Sequence, residues 1–180
     1  MSSLGDFVRL DATTLEHIRT GPDDAYDVLS ALEPPEKLEL DGAWRRLGAL
    51  LDAVGLPLNP ITAGALFPDE HSAWGQNLDS RSLTPDEVDR AAAGLRQTSF
   101  ADLEAHLPVV LAAEDWVYFD DNPESPTFMT PIPREQSSPV VIPEETVRNI
   151  SLTLARSFVA LVAFFDEAST KAQSTVFWAA

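Results

Sequence analysis

The last forty residues of the chain constrain its fold most strongly. Between residues 147 and 165, apolar side chains recur at steps of three and four, which is the spacing of one face of an α-helix. After a polar break, residues 174–180 form a run of β-branched and aromatic side chains that predicts a strand. We expect this helix and this strand to form the centre of the hydrophobic core. The predicted apolar stripe consists of Val147, Ile150, Leu154, Phe158, Leu161 and Phe165.

The composition limits the class of protein. The chain has 180 residues and is 44% hydrophobic, values that suit a single soluble domain. It contains no cysteine, which excludes disulfides, zinc–thiolate sites and cysteine nucleophiles. No signal-peptide pattern is visible, and the longest apolar run, residues 158–165, is much shorter than the roughly 20 residues of a membrane-spanning helix. We therefore expect a cytoplasmic protein.

The net charge of −17 bears on the choice of partner. Nucleic acids and anionic membrane surfaces both attract clusters of Lys and Arg, so this charge argues against both as partners. A large charge of this sign keeps a protein soluble, and it also favours a basic protein partner. The acidic residues are spread along the chain without a run of five or six, so they do not form an acidic tail.

Local signals predict where several helices begin. A Ser or Thr followed three residues later by an acidic residue predicts helix starts at Thr13, Thr84 and Ser99. The helix that starts at Ser99 is expected to end at Pro108. Asp41 is placed to cap a further helix that ends at Gly55. The apolar face of that helix consists of Trp44, Leu47, Leu51 and Val54.

The remaining segments complete the prediction of the fold. Residues 5–10 are rich in apolar and β-branched side chains and predict a first strand. Proline and glycine interrupt residues 56–82, where only a short helix at 62–66 is expected. Residues 120–143 contain six prolines and little periodicity, which predicts a loop without regular elements. The result is a single α+β domain over residues 1–180, mostly helical, with a small sheet that includes an N-terminal and a C-terminal strand.

Five short motifs follow one another in a recognisable order. They are Gly5 before the first strand, Leu38-x-Leu-Asp41-x-x-Trp44-x-x-Leu47, Pro57-Leu58, Leu83-Thr84-Pro85-x-x-Val88 and Thr175-Val176-Phe177-Trp178. In this order they resemble the YfbM-like family of small bacterial proteins, over nearly the whole chain except residues 108–143. The resemblance implies an α+β single domain without an established activity. Members often have a histidine directly after the leucine of the Asp–Trp–Leu motif, where this chain has Gly48; any site that used the histidine is absent here.

Side chains that could carry chemistry are few. The three histidines, His17, His71 and His106, have no second histidine at the spacing of metal ligands, and no glycine-rich loop for a phosphate or dinucleotide is present. Asp120 and Asp121 are adjacent carboxylates, but no ligand loop surrounds them. We therefore expect neither a metal nor a cofactor.

Two groups of residues are candidates for a binding site. Asp41, Trp44 and Arg45 lie at the start of one predicted helix and can line a small pocket in which an arginine binds an anionic group, with His71 and Trp74 from a loop-like stretch beside them. The simpler interpretation is that Trp44 is a core residue and Asp41 only a helix cap. A second candidate, a surface for a partner, consists of Trp116, Asp120, Asp121 and Phe128.

Two functions remain open at this point. The negative charge, the lack of a catalytic constellation and the aromatic residues in loop-like segments favour a soluble, non-catalytic binding protein. An inhibitor or immunity-type role against a basic protein partner is one concrete form of this function. The alternative is a small-molecule-binding or hydrolytic enzyme that uses a pocket around Asp41, Trp44 and His71.

Overall fold

An antiparallel sheet of five strands organises the structure. The computed structural model describes residues 5–20, 25–66, 80–113, 118–119, 131–132 and 142–179. The sheet has the order β2-β1-β7-β4-β3. Its strands are β1 (Gly5–Leu10), β2 (Lys37–Glu39), β3 (Ala65–Leu66), β4 (Arg81–Leu83) and β7 (Ser174–Ala179), while β5 (Tyr118–Phe119) and β6 (Pro131–Ile132) pair separately.

Strand β7 lies at the centre of this sheet. It pairs with β1 along its whole length, from Gly5 opposite Ala179 to Leu10 opposite Ser174. On its other side it pairs with β4, where Ser82 is opposite Val176. The predicted first and last strands are therefore confirmed, and they are neighbours.

Seven helices occur in the described part of the chain, and with the sheet they confirm the predicted single α+β domain. They are α1 (Ala12–Thr20), α2 (Ala25–Ser30), α3 (Ala43–Ala53), α4 (Pro85–Gln97), α5 (Phe100–Glu104), α6 (Leu107–Ala113) and α7 (Glu144–Thr170).

Helix α7 is the long helix that the apolar stripe predicts. Its buried residues include Leu154, Phe158, Leu161 and Phe165, and it packs against α3, α4 and the sheet. The Phe165 ring meets the ring of Phe7 on β1 edge to face, with 5.5 Å between centroids. Among the described helices, α7 is long and apolar enough to cross a membrane by length and composition. Its stripe instead faces the core, as in the central helix of a soluble domain.

The two faces of the sheet are covered by different helices. Because side chains alternate along a strand, Phe7 and Phe177 point to one face and Val8 and Val176 to the other. The first pair belongs to the large core built with α3, α4 and α7, and the second pair to a smaller core with Leu15, Ile18 and Leu29 of α1 and α2.

A buried arginine packs against a phenylalanine of the large core. Arg9 of β1 is 1% exposed, its guanidinium lies 5.5 Å from the centre of the Phe164 ring, and its Nη1 is 2.8 Å from Oε2 of Glu167. The hydrogen bond with Arg9, and after it the one with Lys171, lowers the pKa of the Glu167 carboxyl to about 2. This ion pair joins the central strands to the end of α7.

The predicted helix starts are only partly correct. The cap at Thr84 is confirmed, and so is the cap at Ser99, since each hydroxyl accepts from the backbone N–H three residues later. The cap at Thr13 is wrong, because Asp11 accepts from the Thr14 N–H at 2.8 Å and α1 begins at Ala12. An aspartate two residues earlier competes successfully with the threonine, and both residue types are good caps.

Three further local predictions are wrong. Pro108 does not end a helix but lies in the first turn of α6, where its missing N–H leaves no bond unmade. Residues 65–66 form β3 instead of part of a helix, because they pair with β4. Within the proline-rich segment, residues 131–132 form β6; most of that segment lies outside the described residues.

Candidate binding grooves at the start of helix α3

The chain turns sharply between β2 and α3, and Asp41 lies in this turn. The Asp41 backbone has φ +46°, in the left-handed region that aspartate and asparagine tolerate better than most residues. The N-cap of α3 is Gly42, with no side-chain cap. The prediction that Asp41 caps the helix is therefore wrong, because the left-handed turn puts it one residue before the cap position. Its side chain is exposed instead.

A groove of about 480 Å³ opens between this turn and α7, and we call it the α3–α7 groove. Its α7 side presents residues spaced three and four apart, so they form one stripe along the helix. That stripe combines hydroxyl and amide groups with two apolar side chains. The lining consists of Glu39, Leu40, Asp41, Gly42, Ala43 and Arg46 on one side and Thr146, Asn149, Ile150, Thr153, Leu154 and Ser157 on the other.

Glu39, which lines this groove, shares one lysine with a second acidic residue. Lys37 Nζ lies 3.4 Å from Oδ2 of Asp6 and 3.0 Å from Oε1 of Glu39. Burial raises the pKa of Asp6, the lysine partly offsets this, and the charges of Glu39 and Asp41 add to the increase. Asp41 itself forms no hydrogen bond or ion pair through its carboxylate with any residue in the described ranges. The groove therefore has one exposed carboxylate, that of Asp41, that is not paired with a described residue.

A second groove, of about 650 Å³, lies on the other side of α3, and we call it the α3–α6 groove. It shares Gly42 and Arg46 with the first groove, and none of the described residues that line it is acidic. Its wall is mostly apolar, and Val109 is 71% exposed there. The lining consists of Gly42, Arg45, Arg46, Ala49, Val109, Val110 and Ala113.

Trp44 lies beneath Arg45 and faces the sheet. Its ring centre is 5.5 Å from that of Phe177, and a methyl group placed on Gly5 would overlap the indole. The guanidinium of Arg45 lies over the same ring, 5.1 Å from its centre. Trp44 lines neither groove, so it supports the site only by holding Arg45.

The structure divides the candidate pocket predicted from the sequence. Asp41 lines the α3–α7 groove, Arg45 lines the α3–α6 groove, and Trp44 packs on the core between them. His71 and Trp74 lie outside the described residues, so their positions relative to these grooves stay a prediction. The same holds for the whole predicted partner surface, Trp116, Asp120, Asp121 and Phe128.

Sequence reasoning missed the α7 side of the first groove. Thr146, Asn149, Thr153 and Ser157 recur at helical spacing, next to the apolar stripe that predicted the helix. That polar stripe was the feature of the sequence that could have indicated a groove along α7. Its meaning depends on the packing of α3 beside α7, which the spacing alone does not reveal.

The chemistry available in the two grooves is that of recognition. The described residues of their linings supply carboxylates, guanidinium groups, hydroxyls and an amide, but no histidine. His17 is exposed on α1, and His106 is half-buried between α5 and α6. Within the described ranges, no group of three or more His, Cys, Asp and Glu side chains is arranged to hold a metal ion.

Comparison with known proteins assigns the chain to a family. The family model described as "Domain of unknown function (DUF1877)" matches residues 1–132. The chain belongs to this family. The solved structure of YfbM from Escherichia coli, a protein of unknown function, aligns with 98% of this chain and 99% of its own, with a TM-score of 0.60 and 13% identity. At that identity the likeness shows the fold alone, and it includes α7 and β7. No curated protein matches the chain.

Gly48 lies directly after the leucine of the Asp–Trp–Leu motif. It is buried on α3, and a Cβ built there would lie 3.2 Å from Cγ2 of Ile61. Its carbonyl also accepts a hydrogen bond from Asn59 Nδ2 at 2.8 Å. The space that a histidine side chain would occupy is thus filled by Ile61 in this chain.

Proposed function

We propose that this DUF1877 protein is a non-catalytic binding protein that takes a basic segment of a protein partner into the α3–α7 groove. The observation that carries the proposal is Asp41: an exposed carboxylate in the groove lining, held in a left-handed turn, that forms no ion pair with a described residue. Residues in uncommon backbone conformations often cluster at ligand-binding sites.

Several other residues of the lining, though not Arg46, suit a cationic side chain. Glu39, whose side chain is 63% exposed, lies beside Asp41, and two carboxylates can accept the hydrogen bonds of one guanidinium or ammonium group. Asn149, Thr153 and Ser157 offer polar groups along the groove for the backbone of an extended segment. The net charge of −17 attracts a basic partner from a distance and increases its rate of association. We place this interaction in the cytoplasm.

The test is capture of a partner from a lysate of the source cells at low salt, with wild type and Asp41→Asn as baits. Asparagine also tolerates the left-handed turn, so the fold is expected to survive while the charge is lost. A hydrogen bond to a charged group contributes about 1.5–3 kcal/mol, which corresponds to a loss of roughly tenfold or more in affinity.

Glu16→Gln is the matched control. It removes one exposed carboxylate from α1, on the opposite face of the sheet, so it changes the net charge equally without touching the groove. A partner held by wild type and Glu16→Gln but released by Asp41→Asn supports the proposal. If no specific partner is captured, or if both variants bind the partner equally, we would abandon the proposal.

The hydrolytic alternative has less support. A hydrolytic site needs a nucleophile or activated water next to a general base, in most cases with an oriented acid. In the α3–α7 groove, Ser157 has no hydrogen bond to a basic side chain of the described residues, and no histidine is among the described residues that line it. A small-molecule ligand is a different matter, because both grooves fall within the roughly 300–1,000 Å³ of typical ligand sites.

A further inference from the structure

We propose that the α3–α6 groove is a separate site that binds a small apolar molecule with a single carboxylate. The site is independent of the basic partner proposed above, because neither Asp41 nor Glu39 lines it. Three features of the groove carry the inference: its apolar wall, its oriented arginine and its charge.

The apolar wall is formed by short side chains of α3 and α6. Ala49, Val109, Val110 and Ala113 line it, and Val109 is 71% exposed to water in the open groove. Covering such a surface removes apolar area from water, which favours binding of an apolar body. Alkyl or aryl groups of small molecules fit the available volume of about 650 Å³.

Arg45 is oriented before any ligand arrives. Its guanidinium lies over the Trp44 ring, 5.1 Å from the ring centre, and Trp44 is held in turn against Gly5 and Phe177. The N–H groups of a guanidinium can bind a carboxylate in a bidentate manner. No carboxylate of the described residues lies within ion-pair distance of Arg45. Less conformational entropy is therefore lost when an anion binds.

The charge of the groove and the charge of the whole protein select for a monoanion. Arg45 gives the lining a positive charge, and none of the described residues that line the groove is acidic. The net charge of −17 repels anions at longer range, and this repulsion grows with the charge of the ligand. A monocarboxylate is attracted locally and repelled weakly, whereas a nucleotide or an inorganic polyphosphate is repelled strongly.

The experiment is calorimetric titration of the full chain with octanoate, octanol, octylamine and acetate. We expect saturable binding of one octanoate and at least about tenfold weaker binding of the other three, because octanol lacks the charge, octylamine has the opposite charge and acetate lacks the apolar body. Amide shifts in an NMR titration should be largest along α6 and the first turns of α3. If octanol binds as tightly as octanoate, or if octanoate shows no saturable binding, the proposal is overturned.

Two pairs of variants locate the site. Arg45→Gln should weaken octanoate binding about tenfold, while Arg90→Gln, which removes the same charge from an exposed position on α4, should not. Val109→Ser should weaken binding, while Val159→Ser, at the 66% exposed position on α7, should leave it unchanged. All four positions are exposed, so folding is expected to be preserved. Equal affinity in Arg45→Gln and Arg90→Gln would refute the site even if octanoate binds elsewhere.

Discussion

At the scale of single residues, the contact between Gly5 and Trp44 holds the α3–α6 groove in place. Gly5 begins β1, and its missing side chain lets the indole lie directly on the strand. The indole then supports Arg45 from below. The missing side chain of Gly5 therefore determines the position of the indole and, through it, the position of the Arg45 guanidinium on the surface.

This contact predicts the effect of Gly5→Ala. The added methyl would overlap the indole, which must shift, and overpacking of this kind lowers the free energy of unfolding by about 1–3 kcal/mol. Urea denaturation followed by circular dichroism measures the change. Combining Gly5→Ala with Trp44→Leu should recover part of the loss.

Gly42→Ala provides the comparison. A methyl group at Gly42 meets nothing within 4 Å, and its backbone is in the ordinary helical region, so we expect a change of no more than about 0.5 kcal/mol. If both substitutions destabilise the protein equally, the packing of Trp44 on Gly5 is not the cause.

Prediction from the sequence was least reliable for the conformation of single residues. Asp41 was expected to cap α3, and nothing in the letters Asp-Gly at 41–42 reveals which of the two adopts the cap geometry. Strand β2 ends at Glu39, and the N–H of the next residue, Leu40, donates to the Gly5 carbonyl directly before the left-handed turn at Asp41. That bond links positions 35 residues apart in the chain, so local patterns do not contain it.

At the scale of elements, the best-defined helix start is that of α4. Thr84 Oγ1 accepts from the Glu87 N–H, and Glu87 Oε2 accepts from the Thr84 N–H at 2.8 Å. The helix then buries Val88 and Leu95 against the core that it shares with α7. The cap stabilises the start of α4, and it therefore also stabilises the core that α4 forms with α7.

The substitution Thr84→Ala tests the contribution of this cap. It removes the hydroxyl acceptor, and we expect the free energy of unfolding to fall by about 1 kcal/mol, within the 0.5–2 kcal/mol typical of N-caps. Thr84→Ser keeps the hydroxyl and should lose only a small part of this. Chemical denaturation of the three proteins decides between a cap and a packing role for the methyl group, since in the latter case Thr84→Ser would lose as much as Thr84→Ala.

Elements were predicted correctly where the signal was local or long. The capping boxes at Thr84 and Ser99 are complete within four residues, and α7 repeats its apolar spacing over many turns. Strand β3 was missed because two residues carry no periodicity, and they are a strand only through pairing with β4. Elements that exist through a distant partner are invisible to a local pattern.

At the scale of the whole molecule, the ion pair of Arg9 with Glu167 makes stability depend on pH. The pKa of Glu167 is about 2 in the folded protein, below its ordinary value of 4.5. A carboxyl with a lowered pKa stabilises the fold fully above its ordinary pKa, and this contribution is lost as the pH falls through the folded value. The sensitive range is therefore from about pH 4.5 down to about pH 2.

The variant Glu167→Gln separates this effect from the other carboxylates. It leaves the buried guanidinium of Arg9 without its counter-charge, so the variant should be less stable than wild type at neutral pH. The difference in the free energy of unfolding should shrink as the pH is lowered to about 2. A difference that stays constant across this range, or one that Glu16→Gln reproduces, would exclude the ion pair as its source.

The grooves also belong to this scale, which explains how far the sequence could predict them. It singled out Asp41 and Arg45, because charged residues at a helix start are visible in one stretch. It did not reveal that they face different grooves, or that Asn149 faces Asp41, since α3 and α7 meet only in the folded domain. Composition limited the class of function. Which residues line each groove depends on how the helices pack, and composition does not reveal this.

The position of β7 between β1 and β4 has a consequence for how the chain folds. The two strands at the centre of the sheet are separated by almost the entire sequence, so a very long loop must close before their contacts stabilise anything. During synthesis, β1 emerges long before β7 and keeps one hydrogen-bonding edge unoccupied, which is the kind of edge that draws other chains into aggregates. A protein that is mostly helical in content is therefore expected to fold with the slow kinetics of a β protein.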